Sequence, residues 1–271
     1  MPLTPWSLDP SLVYVGLAAG LYVLGSRGRY RPRPLQALAF AASLLTIVVA
    51  LDSPIDYYAD QLFWVHMLQH VLLLTVAPPL LLLGRPWPRM WRALPLEPRT
   101  KVARTMARSP WAAPLRALAQ PIPAWILFNG TIIVWHLPAA YDATLTSGGI
   151  HALEHAMFFF AGLLFWARVI DPGPLRPRLV WPARIAYTGS AMVVSWLLAI
   201  TLVIVPHPIY GYYAALQIRP GGISALADQQ LAAGVMWVLG SLAYTITFII
   251  GFYRWLEPDN SPTPAPAAFT T

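Results

Sequence analysis

The chain is laid out as seven continuously apolar runs, at about residues 11–24, 35–51, 61–83, 122–140, 151–170, 185–205 and 226–255, joined by short connections. One α-helix needs about 20 apolar residues to cross the hydrocarbon core of a bilayer. The runs are continuous instead of alternating, which excludes a membrane β-barrel. Charged residues make up 11% of the chain, against about 25% in soluble domains, so there is too little polar surface to clothe a water-facing globule. The expected fold class is an all-α integral membrane protein, a seven-transmembrane helix bundle filling 1–257 as a single membrane domain. Pro78 and Pro79 should kink or end the third helix. The stretch 258–271, rich in Pro, Ala and Thr, reads as a disordered tail.

The scarce charges give a topology. Arg27, Arg29, Arg31 and Arg33 separate the first two runs, and the 84–121 connection carries a long basic series from Arg85 to Arg116. Arg168, Arg176, Arg178 and Arg184 lie between runs five and six, and Arg254 ends run seven. The alternate connections hold Asp52, Asp56, Asp60 and Asp142 with a single cation, Arg219. Basic residues in short loops mark the cytoplasmic side. The N-terminus is therefore expected outside and the C-terminus in the cytoplasm, in the cytoplasmic (inner) membrane of a bacterium. The net charge of +7 is accounted for by these loops, and no nucleic-acid partner is expected. The basic loop is either an interfacial amphipathic helix around 98–108, attracted to anionic membrane lipid, or a plain connector. Met1 to Pro10 lacks a basic n-region, so the first span is expected to be retained.

On this topology His66, His70, His136, His151, His155 and His207 all fall at the outer ends of spans. His66 and His70 open helix three, and His151 and His155 open helix five. Each pair is spaced i, i+4, which places both imidazoles on one helix face, about 5–6 Å apart at Cβ. Two such pairs can supply four nitrogen ligands to one metal ion. Ionisable side chains in a bilayer usually face the bundle interior and handle ions, protons or cofactors. The absence of cysteine removes thiolate sites and disulfides together. Metal candidates are therefore His66, His70, His151, His155 and His136, with Asp228 at the start of helix seven to complete or gate the site. Glu154 and Gln69, beside the second histidine of each pair, are candidates to orient ligand tautomers. Met67 is a soft ligand suited to Cu(I), and His207, in a Pro-His-Pro turn, is the outlying member. The two hairpins echo each other, each opening with a histidine pair and closing on one histidine.

Other chemistries fit less well. His151-Ala152-Leu153-Glu154-His155 matches a zinc-protease pattern, but that reading needs a third ligand, an open position and a substrate cleft, and so short a pattern arises easily by chance. Helices three and five could hold haem b between axial histidines, giving an electron-transfer protein. No phosphate-binding loop or nucleophile elbow is present. A transporter would be expected to place charged groups at mid-span, and none falls there. A scaffold that binds partner subunits without metal stays open.

Several motifs together resemble a known family. They are His66-Met67-Leu68-Gln69-His70, Ala77-Pro78-Pro79, Trp135-His136-Leu137-Pro138 with Tyr141-Asp142, His151-Ala152-Leu153-Glu154-His155, Gly162-Leu163-Leu164-Phe165-Trp166 and Leu226-Ala227-Asp228-Gln229-Gln230. In these the chain is similar to the multi-span CtaG assembly factors of caa-type cytochrome c oxidases, over roughly residues 35–255. The resemblance implies a non-enzymatic protein that helps mature a haem-copper oxidase by assisting copper delivery. Its implied partners are oxidase subunits and a periplasmic copper chaperone. It does not fix which histidines bind metal.

Overall fold

A computed structural model of the chain describes residues 6, 10–170 and 179–257. The expected tail at 258–271 lies outside the described residues, as do Arg176, Arg178 and most of 1–10. The described residues are helical, with no strand among them. In chain order the α-helices are α1 Ser11–Gly25, α2 Pro34–Leu51, α3 Pro54–Ala59, α4 Phe63–Leu83, α5 Pro86–Ala93, α6 Leu96–Arg108 and α7 Ala112–Leu118. They continue as α8 Pro121–Trp135, α9 Pro138–Thr146, α10 Gly148–Ile170, α11 Trp181–Ile204, α12 Gly211–Ala215 and α13 Ala225–Leu256.

Five helices, α2, α4, α10, α11 and α13, are long and apolar enough to cross a membrane, and α7 with α8 makes a sixth if the pair, bent by 74°, is one span. The seventh apolar helix, α1, has 15 residues and would reach about 22 Å at 1.5 Å per residue, short of a core of about 30 Å. The fourth run also departs from expectation, because helix α8 stops at Trp135 and Pro138 starts a separate helix. Proline is favoured in the first helical turn, where its missing N–H has no helical partner to lose.

Helix α4 is the centre of the bundle, packed by α2, α10 and α13. Within their most apolar stretches, α4 is 61% buried and α10 56%, against 17–22% for α2, α11 and α13. The outer helices instead present exposed apolar side chains such as Leu45, Leu197 and Ile246, the surface expected of lipid-facing helices. Pro78 and Pro79 neither end nor break α4, which passes them through a π-helical turn at Leu72–Val76. Pro78 has no N–H, so the Leu74 carbonyl loses its helical donor. Trp166 of α10 replaces it, donating from Nε1 at 3.0 Å. The Ser43 hydroxyl of α2 donates to the Ala77 carbonyl at 2.8 Å. Leaving such a buried carbonyl unpaired would cost about 1–3 kcal/mol. The crossing of α4 and α10 is close because position 162 is glycine. A Cβ there would lie 2.7 Å from the Leu74 oxygen and 2.9 Å from Pro78 Cγ.

The helix ends sort by chemistry. The starts of α4, α10 and α13 and the end of α8 meet at one end of the bundle, where all the histidines lie. Basic residues gather at the other end. Arg89, beyond the end of α4, bonds the Tyr30 carbonyl and the Gln36 side chain ahead of and within the first turn of α2. Arg184, at the start of α11, donates to the Val169 carbonyl at 2.6 Å, at the end of α10. At the histidine end α9 and α12 fold over the bundle. They are pinned together by Asp142, whose carboxylate accepts the Gly211 and Tyr212 amides at 3.1 and 3.2 Å.

Candidate metal centre

The two histidine pairs face each other across the α4–α10 contact. One turn of helix separates His66 from His70 and His151 from His155, so each pair shares a face. The approach permitted by Gly162 brings those faces together. His66 and His151 have ring centroids 5.1 Å apart, His66 and His155 6.2 Å, and His70 and His155 5.8 Å. His66, His70, Glu154 and His155 each offer a ligand atom within 4.8 Å of the others.

Glu154 stands inside this group, which corrects its expected place as an outer orienting residue. Residues 151, 154 and 155 occupy one helix face, and the carboxylate enters between the facing imidazoles. Its two oxygens lie 3.5 Å from His66 Nε2 and 3.5 Å from His70 Nε2. A charge-assisted hydrogen bond would be about 2.7–2.9 Å, so the carboxylate faces both rings without bonding either. Glu154 and His66 are fully buried and His70 nearly so. The half-buried His151 forms the more open edge, although its Nε2, like that of His155, is shielded from solvent.

The tautomer of His66 is set by its neighbours. Its Nδ1 lies 3.2 Å from the Tyr213 hydroxyl, whose own proton is donated to the Ala59 carbonyl. The hydroxyl therefore accepts from His66, Nδ1 carries the proton, and Nε2 is a bare lone pair aimed at Glu154. Burial raises the Tyr213 phenol well above its usual range, so this donor keeps its proton. Tyr141, likewise raised by burial, covers the imidazoles with its ring centroid 5.1 Å from His66. Phe158 stacks on His70 at 4.2 Å. Thus His66 Nε2, both nitrogens of His70, both Glu154 oxygens and the Nε2 atoms of His151 and His155 are buried without a hydrogen-bond partner. Buried polar atoms are normally paired. Each neutral imidazole keeps one N–H, and its remaining lone pair, grouped with those of the other rings and the Glu154 oxygens, is what a cation would satisfy.

The remaining candidates are placed as follows. His136 is buried beside the cluster, with its ring 6.3 Å from His70, and Met67 is fully buried next to it. Asp228 does not join the imidazoles, a correction to its expected role. Its two oxygens accept the Phe63 and Trp64 amides at 2.9 and 3.0 Å. Helix α4 begins after Leu62, which has no side chain able to cap it, so α13 supplies the carboxylate that its orphan amides and dipole favour. Gln69 turns away from the histidines and donates to the Ala50 carbonyl at 2.8 Å and to Asp56 at 3.0 Å, tying α4 to α2 and α3. His207 is exposed in the connection after α11, and only its carbonyl is used, accepting from Gln229 at 3.3 Å. The echo between the hairpins therefore fails at its last member.

The sequence reading missed the tyrosine cover. Tyr141 lies just after Trp135-His136-Leu137-Pro138, but Tyr213 carries no signal beyond an aromatic residue in a connection at the histidine end.

Residues 15–257 match the family described as cytochrome c oxidase caa3 assembly factor. Uncharacterized proteins of Mycobacterium bovis and Mycobacterium tuberculosis are each 27% identical over 269 residues, and one of Mycobacterium leprae is 26% identical over 271. The match covers 95% of this chain and 40% of each relative, so the chain spans well under half the length of these proteins. No solved structure matches.

Proposed function

Because the chain belongs to the cytochrome c oxidase caa3 assembly factor family, we propose that it binds copper at the histidine end of the bundle and helps deliver it to a haem-copper oxidase. His66, His70, Glu154 and His155 form the core of the site, with His151 at its more open edge. The observation that carries this reading is the convergence of four ligating groups within 4.8 Å, buried and without hydrogen-bond partners. Imidazole accommodates both oxidation states of copper, and Tyr213 fixes the orientation of one ligand as outer-shell partners of metal sites usually do. The metal is cargo here, and assembly requires no catalytic turnover.

The topology that suits this role has seven spans, with α1 as the first. The N-terminus and the histidine end face outward, and the basic ends of α2, α4 and α10 face the cytoplasm, as the positive-inside rule directs. In a bacterial cytoplasmic membrane that arrangement opens the site toward the periplasm, where a copper chaperone would load it and oxidase subunits would receive the ion. Helix α6, with exposed Leu96, Val102 and Met106 between its cations, suits the interface with anionic lipid. A haem is less favoured. A porphyrin needs a slot of several hundred Å³, and the cavity beside His70 and His136 measures about 40 Å³.

His70→Ala and His155→Ala test the proposal. Oxidase from cells carrying either variant should contain less copper while the variant chain remains in the membrane. Oxidase with full copper content in both would overturn it in favour of a metal-free scaffold.

A further inference from the structure

Beside the His/Glu cluster lies a second pair of soft ligand atoms. His136 caps the end of α8, and its Nδ1 is 2.7 Å from the Ile132 carbonyl. A carbonyl can only accept, so Nδ1 carries the proton and Nε2 is a lone pair. That lone pair points at Met67 Sδ, 3.3 Å away. A thioether sulfur has no proton to give, so two acceptors meet head-on, both fully or almost fully buried. A cation bound by both atoms would account for this contact.

The surroundings select the kind of cation. Among the described residues no carboxylate is hydrogen-bonded to the pair, and the adjoining cavity of about 40 Å³ is lined by Met67, His136, His70 and Met236 among mostly apolar side chains, with the hydroxyl residues Thr75, Ser195 and Tyr244. Thioether and imidazole in a largely apolar pocket suit a soft monovalent ion and disfavour a hard divalent one. Met67 directly follows His66 on α4 and projects about 100° round the helix from His66 and about 60° from His70, so Met67 and His70 line the same cavity. The two sites therefore share α4 and the ring of His70 as a common wall.

We infer that Met67 and His136 form a second metal site, selective for Cu(I), next to the His/Glu cluster and reached past His70. The inference goes beyond the proposed function and rests on it only for the identity of the metal. An ion present at the cluster as Cu(I) moves to the pair with no change of oxidation state, exchanging nitrogen and oxygen ligands for nitrogen and sulfur.

The test uses the full chain purified in detergent, with Cu(I) added anaerobically and X-ray absorption at the copper edge. The wild type should show a sulfur neighbour to copper. Met67→Leu, close in volume and tolerated in cores, should lose that neighbour and bind Cu(I) at least about 100-fold more weakly, above the range found for lost outer-shell partners. Its uptake of Cu(II) by the cluster should be unchanged. Glu154→Gln should do the reverse, keeping sulfur-ligated Cu(I) and losing Cu(II). Wild-type Cu(I) without a sulfur neighbour, or Met67→Leu with unaltered Cu(I) affinity, overturns the second site alone. Sulfur-ligated Cu(I) in a wild type that takes up no Cu(II) would uphold the second site and remove the cluster instead.

Discussion

His66 and Tyr213 lie 147 residues apart in sequence and 3.2 Å apart in space, with Nδ1 of the histidine donating to the phenol oxygen. Tyr213 passes its own proton to the Ala59 carbonyl. The chain of donors leaves His66 Nε2 bare and directed at Glu154, which is the state a metal ligand requires. Tyr213→Phe removes this control while keeping the ring. Copper affinity is expected to fall about 10-fold to 100-fold, with the chain still folded, as measured by competition with a chromophoric chelator. Unchanged affinity would mean that the tyrosine only packs.

Asp228 gives the opposite pattern. Its carboxylate caps α4 from another helix, and loss of a cap costs about 0.5–2 kcal/mol. Asp228→Ala should lower the melting temperature in detergent and leave the copper stoichiometry at the cluster intact. Loss of copper without loss of stability would restore Asp228 as a ligand.

Gly162 tests the dependence of the site on helix approach. Gly162→Ala places a methyl group 2.7 Å from the Leu74 carbonyl oxygen, and overpacking of this kind costs about 1–3 kcal/mol. The strain is relieved by moving α10 away from α4, which separates the two histidine pairs. The variant should bind copper more weakly although no ligand is changed. The loss should appear together with a lower melting temperature.

His207 is expected to be dispensable. It is exposed, and its ring makes no contact with the cluster. His207→Ala should match the wild type in copper binding and in the copper content of mature oxidase, in contrast to His155→Ala.

Much of this arrangement was legible in the residues. Helical periodicity alone places His66 with His70 and His151 with His155, and the sorting of arginines against histidines puts both pairs at one end of the bundle. Glu154 was harder to read. The spacing 151, 154, 155 puts it on the ligand face, but whether it meets the imidazoles directly depends on how near α10 comes to α4. That distance is set by Gly162 and by the π-turn through which Pro78 is accommodated, neither of which has a reliable local signature. Asp228 reads as a ligand because an acid at the outer start of helix seven falls at the histidine end of the chain's topology. The overlooked clue was Leu62, a poor cap at the start of a helix that must find its acceptor elsewhere. The fourth run has the pattern of one span because apolar residues continue past Trp135, whereas Pro138 begins a new helix there. The partner of His66 could not be foreseen, since it comes from a five-residue helix joined by a connection with no distinguishing pattern.

The most direct test of the account is elemental analysis of the purified full chain after loading with Cu(II) and removal of excess ion. The wild type should retain copper in stoichiometric amount, and a His70→Ala, His155→Ala double variant, still folded by circular dichroism, should retain none. A wild type that holds no copper, or a double variant that holds as much as the wild type, would contradict the claim that these facing histidines form a metal site.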